Sequence, residues 1–504
     1  MLPRMTKNQT EIERKYDVAP DAELPDLAGE RIASVSVATV ANLSATYYDT
    51  ETLALASARV TLRRRTGGSD EGWHLKLPGD GEARVEIHRA LGRGTRPPIA
   101  LVRAITAVTL GAPLIPVAEL DTTRTTRNLL DAEGNVLAEL ADDVVAAQRL
   151  QPTGPPTTWR EVEVELVDAD RSLLESVESQ LEAAGISRSP SLSKLQRVLG
   201  DAVPSATAPP SSLKSNSAGS ALLHYLARQR DALSTADLAV RTAKASVHDV
   251  RVAARRLRTA LTLYRSLLDP DRARHLQAEL KWVGREVSAV RDLEVIGETV
   301  DEALAAESDF KTAPALRFAR QTIRAAEREA QAQAQEALNS DRYTALLVDL
   351  DALLVDPPWT SKASMRADKL LPLLAGRALK RLRSRAAAVE QAEPDERPAA
   401  LHETRKAAKR LRYSLEVAKD AGGKPVKKLR DRAEALQELL GDHLATVTVR
   451  QWLVRLADDE AAVGTFLFGR LHAQEEIAGA VYEYDYPVVL RNVLKHKGTK
   501  ALEV

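Results

Sequence analysis

The stretch HDVRVAARRLRTAL at 248–261 recurs as HETRKAAKRLRYSL at 402–415, with eight of fourteen positions identical. Related phrases follow the two copies, VGREVSAVRDLEV at 283–295 and LQELLGDHLATV at 436–447. Their alanine, leucine and arginine content predicts helices, and their recurrence predicts a duplicated unit of two helical bundles that face each other. A solenoid is disfavoured because the copies lie 402 − 248 = 154 residues apart, whereas solenoid repeats span roughly 20–50 residues.

Basic residues follow one face of each copy, and leucines occupy the opposite face. A charged helical face is usually just solvated, but few acidic residues interrupt these stripes, and both copies keep the same pattern. The pattern therefore predicts one basic channel for a multiply charged anion. The predicted stripes consist of His248, Arg251, Arg255 and Arg258 in the first copy and His402, Arg405, Lys409 and Arg412 in the second.

A Pro/Ser-rich segment, DAVPSATAPPSSLKSNSAGS at 201–220, precedes the helical half and has no apolar periodicity. Such a composition is typical of a flexible tether. The sequence thus predicts a domain at 1–200, a linker at 201–217 and a helical domain at 218–500.

Composition excludes several classes of protein. The 504 residues contain no cysteine, so disulfides, Cys-ligated zinc and thiol nucleophiles are excluded. No apolar run reaches the roughly 18 residues of a membrane span, which predicts a cytoplasmic protein with no membrane partner. Residues 1–200 carry 23 Lys+Arg and 29 Asp+Glu, a net charge of −6, and the remainder carries +6, which favours two domains with different partners.

Short stretches with alternating apolar and polar residues recur in the first 200 residues, separated by glycine and proline. They predict an antiparallel sheet or barrel, whereas SLLESVESQLEAAGI at 172–186 has helical spacing. The predicted fold class is therefore α+β and multidomain, with a β-barrel followed by all-α duplicated bundles. The predicted strands are EIERKYDV (11–18), ASVSVATV (33–40), ARVTLRRR (58–65), WHLKL (73–77), ARVEIHRA (83–90), NVLAELADDVV (135–145) and WREVEVEL (159–166).

Charged residues share one face of several of these strands, because alternate side chains point the same way. For any single strand a solvated outer face explains this pattern. As a set, acidic strands at both ends of the domain and basic strands between them are what a charged barrel interior requires. Clustered carboxylates suit Mg²⁺ or Mn²⁺, and clustered arginines suit phosphates, which together predict a phosphoryl-transfer site. The same-face sets are Glu11/Glu13/Lys15, Arg63/Arg65, Arg84/Glu86/His88 and Glu161/Glu163/Glu165.

The ordered series of these motifs resembles the CYTH family, the triphosphate tunnel fold of class IV adenylate cyclases, thiamine triphosphatases and inorganic triphosphatases. The matching phrases include E-x-E-x-K at 11–15, YYDT at 47–50, LRRR at 62–65, WHLKLP at 73–78 and EVEVEL at 161–166. The resemblance implies a tunnel that binds a triphosphate together with a divalent metal ion.

The resemblance also implies roles for individual residues. The implied metal ligands are Glu11, Glu13, Glu139, Glu161, Glu163 and one of Asp142 and Asp143, with strand parity favouring Asp143. The implied triphosphate ligands are Lys15, Arg63, Arg65, Lys76, Arg84, Arg124, Arg127 and Lys194. Glu86 is the candidate for positioning or deprotonating water, and a Lys/Tyr dyad would pair Lys76 with Tyr47 or Tyr48, of which Tyr48 is our candidate.

The helical half resembles the CHAD family, the conserved histidine α-helical domain, over roughly 221–495. The resemblance rests on the duplicated His-Arg helix and its RDLEV and GDHLATV followers, and it implies binding of inorganic polyphosphate and association with polyphosphate granules.

The sequence therefore favours metal-dependent hydrolysis of inorganic triphosphate, with polyphosphate held by the helical domain. Three alternatives remain open: an adenylate cyclase, a nucleoside or thiamine triphosphatase, and a non-catalytic polyphosphate-binding protein. Nucleic acid is a disfavoured partner, because only 4% of residues are aromatic and little stacking surface is available.

Overall fold

A computed structural model describes residues 8–29, 31–79, 83–204, 213–242, 246–305, 313–459 and 465–502. The chain divides into two compact units, Met1–Thr207 and Ala208–Val504. Residues 205–212 of the predicted linker lie outside the described residues. The domain limits of 1–200 and 218–500 stay a prediction.

In the described part of the first unit, ten antiparallel strands form one sheet, and eight of them close into a barrel. The barrel order is β1-β6-β5-β4-β3-β7-β8-β9, and β9 pairs again with β1. The predicted β-barrel is thus confirmed. The strands are β1 (Asn8–Val18), β2 (Ser34–Val35), β3 (Thr39–Asp49), β4 (Thr61–Thr66), β5 (Gly72–Pro78), β6 (Ala83–Arg89), β7 (Ile115–Leu130), β8 (Val136–Arg149), β9 (Thr157–Leu166) and β10 (Ser187–Arg188).

The longest strand, β7, was not predicted as a strand from the sequence. Threonines occupy both faces of its second half, so the apolar alternation that marks a strand is absent there. This segment is a strand because it pairs with β3 and β8, and the local sequence pattern does not reveal that pairing.

Part of the outer surface of the barrel is an apolar core, and much of the barrel interior is charged. Helix α4 (Arg171–Ala183), which matches the predicted helix, packs its leucines against outward-facing Tyr16, Val162 and Val164. Because one face of β1, β7, β8 and β9 meets this core, the alternate side chains of these strands must point into the barrel. Helix α5 (Lys194–Leu199) packs Leu195 and Leu199 against an apolar cluster that includes Trp159. The described part of this unit also contains the short helices α1 (Ala54–Ser57), α2 (Ile99–Ala104) and α3 (Thr106–Thr109).

The second unit is helical, as predicted. Both copies of the repeated sequence lie on helices, the first on α7 (His248–Leu263) and the second on α13 (Arg397–Asp458). They bury the predicted leucine face, including Leu257, Leu261 and Leu411. Helix α13 bends at Gly423, whose φ of 65° lies in the left-handed region that glycine tolerates. The helices are α6 (Ala218–Thr242), α7 (His248–Leu263), α8 (Pro270–Glu286), α9 (Ser288–Ala305), α10 (Ala313–Leu338), α11 (Asp341–Val355), α12 (Ala367–Gln391), α13 (Arg397–Asp458) and α14 (Thr465–Leu494).

Among the helices that the structure describes, none combines the length and apolar character needed to cross a bilayer.

Candidate functional site

The barrel interior contains a cavity of about 490 Å³. For most of the candidate residues, the strand face predicted from alternation is the face that lines this cavity. Along each strand, the lining residues are either all odd-numbered or all even-numbered. Its charged lining includes Glu11, Glu13, Lys15, Arg63, Arg65, Lys76, Arg84, Glu86, Arg124, Glu139, Glu163, Glu165 and Lys194.

Three buried carboxylates meet at one side of this interior. Oxygen atoms of Asp143, Glu161 and Glu163 lie within 4.8 Å of one another. Lys194 places its ammonium 2.9, 2.8 and 2.7 Å from these three groups. Arg124 donates two hydrogen bonds to Asp143, of 2.8 and 2.6 Å, and one of 2.6 Å to Glu163. Although burial opposes ionisation, Lys15, Lys194 and Arg124 hold the pKa of Glu163 well below its usual value.

This carboxylate cluster fits a hard divalent cation by its donor chemistry, since all its ligand atoms are oxygens and carboxylates are preferred by Mg²⁺ and Mn²⁺. The cluster already balances the positive charge of Lys194. A metal ion would therefore share these oxygens with Lys194. The ammonium and the metal ion would together offset the negative charge of the three carboxylates.

The remaining predicted metal ligands do not join this cluster in the described structure. Glu11 pairs with Lys76 at 2.5 Å, and Glu13 pairs with Lys15 at 3.1 Å. Glu139 lines the cavity outside the group of three. The carboxylates of the acidic strands therefore do not form one site. Three of them form the cluster, and Glu11 and Glu13 form separate ion pairs with lysines.

Glu86 is held by a histidine that sequence reasoning missed. Nδ1 of His74 lies 2.5 Å from the Glu86 carboxylate, and Nε2 lies 3.0 Å from the carbonyl oxygen of Asp70. Because a carbonyl oxygen only accepts hydrogen bonds, the contact with Asp70 places a hydrogen on Nε2 of His74. The only sequence signal was the even spacing of His74 and Lys76 on β5.

Lys76 lies between two carboxylates, 2.5 Å from Glu11 and 3.2 Å from Glu86. Burial favours its neutral amine, but Glu13, Glu86 and Glu11 together raise the pKa of Lys76 above its usual value. A lysine that stays protonated is suited to bind phosphate and not to act as a base.

Arg63, Arg65 and Arg124 are arginines of the cavity lining. Burial, together with the charges of Arg63 and Arg124, lowers the pKa of Arg65 to about 9. Arg65 also forms an ion pair with Asp70. Such mutual repulsion inside a cavity favours a bound anion, because phosphate oxygens would offset it.

The structure corrects the predicted positions of two candidate residues, Tyr48 and Arg127. Tyr48 lies outside the barrel, where its ring contacts Trp73 and its hydroxyl donates to the carbonyl oxygen of Thr95 at 2.8 Å. Tyr47 lines the cavity instead, and an N–H of Arg63 donates to its hydroxyl at 3.3 Å.

The prediction that Arg127 lines the cavity is also wrong. It is three positions from Arg124 on β7, so the pleat turns it to the opposite face, where it pairs with Leu140 of the outer core.

In the helical unit, both repeated helices contribute to one basic cavity of about 590 Å³. The predicted Arg251, Arg255, Arg258, His402, Arg405 and Lys409 all line it. A neighbouring cavity shares Arg258 and Arg410 and continues the basic lining to Arg377 and Arg381 on α12.

The centre of this basic cavity holds poorly compensated charge. Burial and the nearby Arg255 and Arg405 lower the pKa of Lys409 to about 6. The pKa of Arg405 is lowered by burial and then by Arg255 and Arg251. The arrangement is electrostatically costly unless an anion enters the cavity.

Two members of the predicted stripes do not line the basic cavity. Arg412 turns away to pair with Glu434 at 2.8 Å and Glu416 at 3.4 Å, because acidic side chains are within its reach there. His248 at the first turn of α7 is likewise absent from the lining, unlike its counterpart His402. Sequence reasoning missed Lys281 and Arg285, which α8 adds to the lining.

Comparison with known proteins gives two family matches, a CYTH domain over residues 9–199 and a CHAD domain over residues 224–454. Uncharacterized proteins from two Mycobacterium tuberculosis strains are 33% identical over 493 residues, covering 92% of this chain and 92% of each relative. Among solved structures, PptA from Streptomyces chartreusis is 20% identical with a TM-score of 0.47, covering 55% of this chain and 99% of its own. The CHAD domain from the plant Ricinus communis is 26% identical with a TM-score of 0.44, covering 56% and 95%.

Proposed function

Because this chain belongs to the family of proteins that join a CYTH domain to a CHAD domain, we propose that its barrel hydrolyses inorganic triphosphate and that its helical unit binds inorganic polyphosphate. One observation carries the enzymatic part of the proposal: buried arginines and a buried carboxylate cluster share the barrel interior. Carboxylates repel phosphates, so a site that only bound anions would gain nothing from them. A site that also holds a divalent cation requires them.

In this proposal, Asp143, Glu161 and Glu163 hold Mg²⁺ or Mn²⁺, which when bound supplies Lewis-acid chemistry at a phosphoryl oxygen. Arg63 and Arg65 bind phosphate oxygens and stabilise the charge that develops on the leaving group. Glu86, oriented by His74, positions the attacking water or accepts its proton.

The test is phosphate release from triphosphate, long-chain polyphosphate, ATP and thiamine triphosphate, each with and without Mg²⁺ or Mn²⁺. Fastest metal-dependent turnover of inorganic triphosphate supports the proposal. Cyclic AMP formation from ATP would identify an adenylate cyclase, and preferred turnover of ATP or thiamine triphosphate would identify another triphosphatase. Polyphosphate binding without turnover of any of these substrates would identify a non-catalytic polyphosphate-binding protein.

Arg63→Ala is expected to lower kcat/KM for triphosphate by about 10- to 100-fold, since hydrogen bonds to charged groups contribute roughly 1.5–3 kcal/mol. Both KM and kcat should change, because Arg63 binds phosphate oxygens in the ground state and interacts with them more strongly as charge develops in the transition state. Steady-state kinetics provide the measurement. The matched control is Arg64→Ala, whose side chain alternates to the outer face; equal losses in the two variants would contradict the assignment.

For the helical unit, the repeated helices supply basic side chains to one cavity, which supports binding of a polymer of phosphates along it. The shared lining of the two cavities, at Arg258 and Arg410, gives the polymer a continuous basic path toward α12. Association with polyphosphate granules would follow from this affinity and is part of the proposal.

Lys409 is expected to take up a proton when polyphosphate binds near pH 7. Its pKa of about 6 leaves the free amine mostly neutral at that pH, and phosphate oxygens stabilise the ammonium form. Affinity should therefore fall as pH rises above the pKa of the free protein. Calorimetric titration in two buffers of different ionisation enthalpy should give different apparent enthalpies; identical enthalpies, or the same difference with Lys409→Met, would contradict it.

A further inference from the structure

An apolar stripe runs along an exposed face of α14, away from the lining of both cavities. Ile477, Val481, Tyr484 and Val488 are 68%, 54%, 84% and 56% exposed. Their successive spacings of four, three and four residues place them on one line of the helix, as in the seam of a coiled coil. Monomeric globular proteins rarely leave such a continuous apolar line in water.

The stripe is separate from the face that α14 uses inside its own unit. Leu471, Tyr486, Leu490 and Val493 are buried on the other side of the helix. The helix thus already has an intrachain core, and its second apolar face has no structural use within the described residues.

Charges beside the stripe indicate what covers it. Glu476 and Arg491 lie on the same flank of the helix, one near each end of the stripe, and both are exposed. Glu476 keeps 65% of its side chain exposed beside Arg450, and Arg491 has no ion-pair partner in the part of the chain that the structure describes. An antiparallel copy of the same helix is complementary to this pattern.

We propose that α14 forms a two-fold symmetric homodimer in which the stripes of two chains pack antiparallel. With the axis between Val481 and Tyr484, Ile477 faces Val488 of the partner subunit, and Arg491 lies beside Glu476 of the partner subunit. A parallel pair would instead leave Arg491 and Glu476 of the partner subunit at opposite ends of the seam, so the charge pairing selects the antiparallel arrangement. A two-fold contact of this kind uses the same patch on both chains and closes at two subunits.

Sedimentation of the full chain over a range of concentrations tests the dimer. The mass is expected to rise from 54.9 kDa toward twice that value. Tyr484→Asp should raise the dimer dissociation constant at least about tenfold, with circular dichroism confirming the fold. Val355→Asp is the matched control, since Val355 is 67% exposed on α11 and outside the stripe. A protein that stays at 54.9 kDa, or a dimer equally affected by both variants, would overturn the proposal.

Cross-linking tests the orientation of the two helices. The chain contains no cysteine, so only the introduced cysteines can react. A mixture of Ile477→Cys and Val488→Cys proteins should be joined by a short bismaleimide, whereas Ile477→Cys alone should not. Exchange of charges provides a second measurement: Glu476→Arg and Arg491→Glu should each weaken the dimer, and the double variant should recover it. Efficient cross-linking of Ile477→Cys with itself, or no recovery in the double variant, would reject the antiparallel arrangement.

Discussion

Glu161→Gln is expected to slow triphosphate hydrolysis by roughly 10³-fold, because metal binding contributes several kcal/mol of charge stabilisation in the transition state. Glu161 is 3% exposed, belongs to the three-carboxylate cluster, and accepts a hydrogen bond of 2.5 Å from Trp159. Glutamine keeps the shape and the acceptor oxygen but removes the negative charge. Initial rates of phosphate release across a range of Mg²⁺ concentrations measure the effect.

The matched control for Glu161→Gln is Asp142→Asn. Asp142 neighbours the cluster in sequence but faces outward, where Arg160 donates to it at 2.9 Å. We expect this variant to keep most of its activity. Near-normal hydrolysis by Glu161→Gln would refute the metal assignment, and equal losses in both variants would attribute the effect to barrel stability.

The double variant Arg255→Glu/Lys409→Glu is expected to lose detectable polyphosphate binding while triphosphate hydrolysis persists. The two side chains come from the two sequence copies and line the same cavity. Relative to the polyphosphate-bound state, in which Lys409 is protonated, the two substitutions change the local charge by four units and place carboxylates where phosphates would bind. Calorimetric titration of the full-length protein with polyphosphate measures the loss. Wild-type affinity should itself fall steeply with salt, by analogy with counterion release from nucleic acids.

Arg272→Glu/Arg274→Glu makes the same change of charge on the same unit, outside the basic cavity. Arg274 is exposed on α8 and pairs with Asp271, and Arg272 donates to the carbonyl oxygen of Asp356. This control should bind polyphosphate with little loss. Equal losses in the two double variants would mean that the helices present only a diffuse basic surface.

The charged interior of the barrel was predictable because strand alternation is a local property of the backbone. The odd-numbered Glu11, Glu13 and Lys15 must share a face on any regular strand, and so must Arg63 and Arg65. The same logic would have rejected Arg127, since it is an odd number of positions from Arg124. Its inclusion came from the family resemblance and not from the pleat.

Other features depended on neighbours that the sequence does not identify. The choice between Tyr47 and Tyr48 required the strand pairing, which shifts register between them against β7. The role of His74 required the carbonyl of Asp70 and the carboxylate of Glu86 on either side of its ring. Arg412 fits its stripe by helical spacing, but Glu434, far along the chain, turns it away.

The sequence by itself determined the two structural classes, the duplicated basic helices and the faces of most charged strands, because backbone periodicity sets which side chains share a face. Only the tertiary structure decided that Asp143, Glu161 and Glu163 form one cluster around Lys194 while Glu11 and Glu13 pair with lysines. It also decided that α8 joins the basic cavity through Lys281. The physical reason is that distances between residues remote in sequence are set by strand closure and helix packing, and charge interactions depend on those distances.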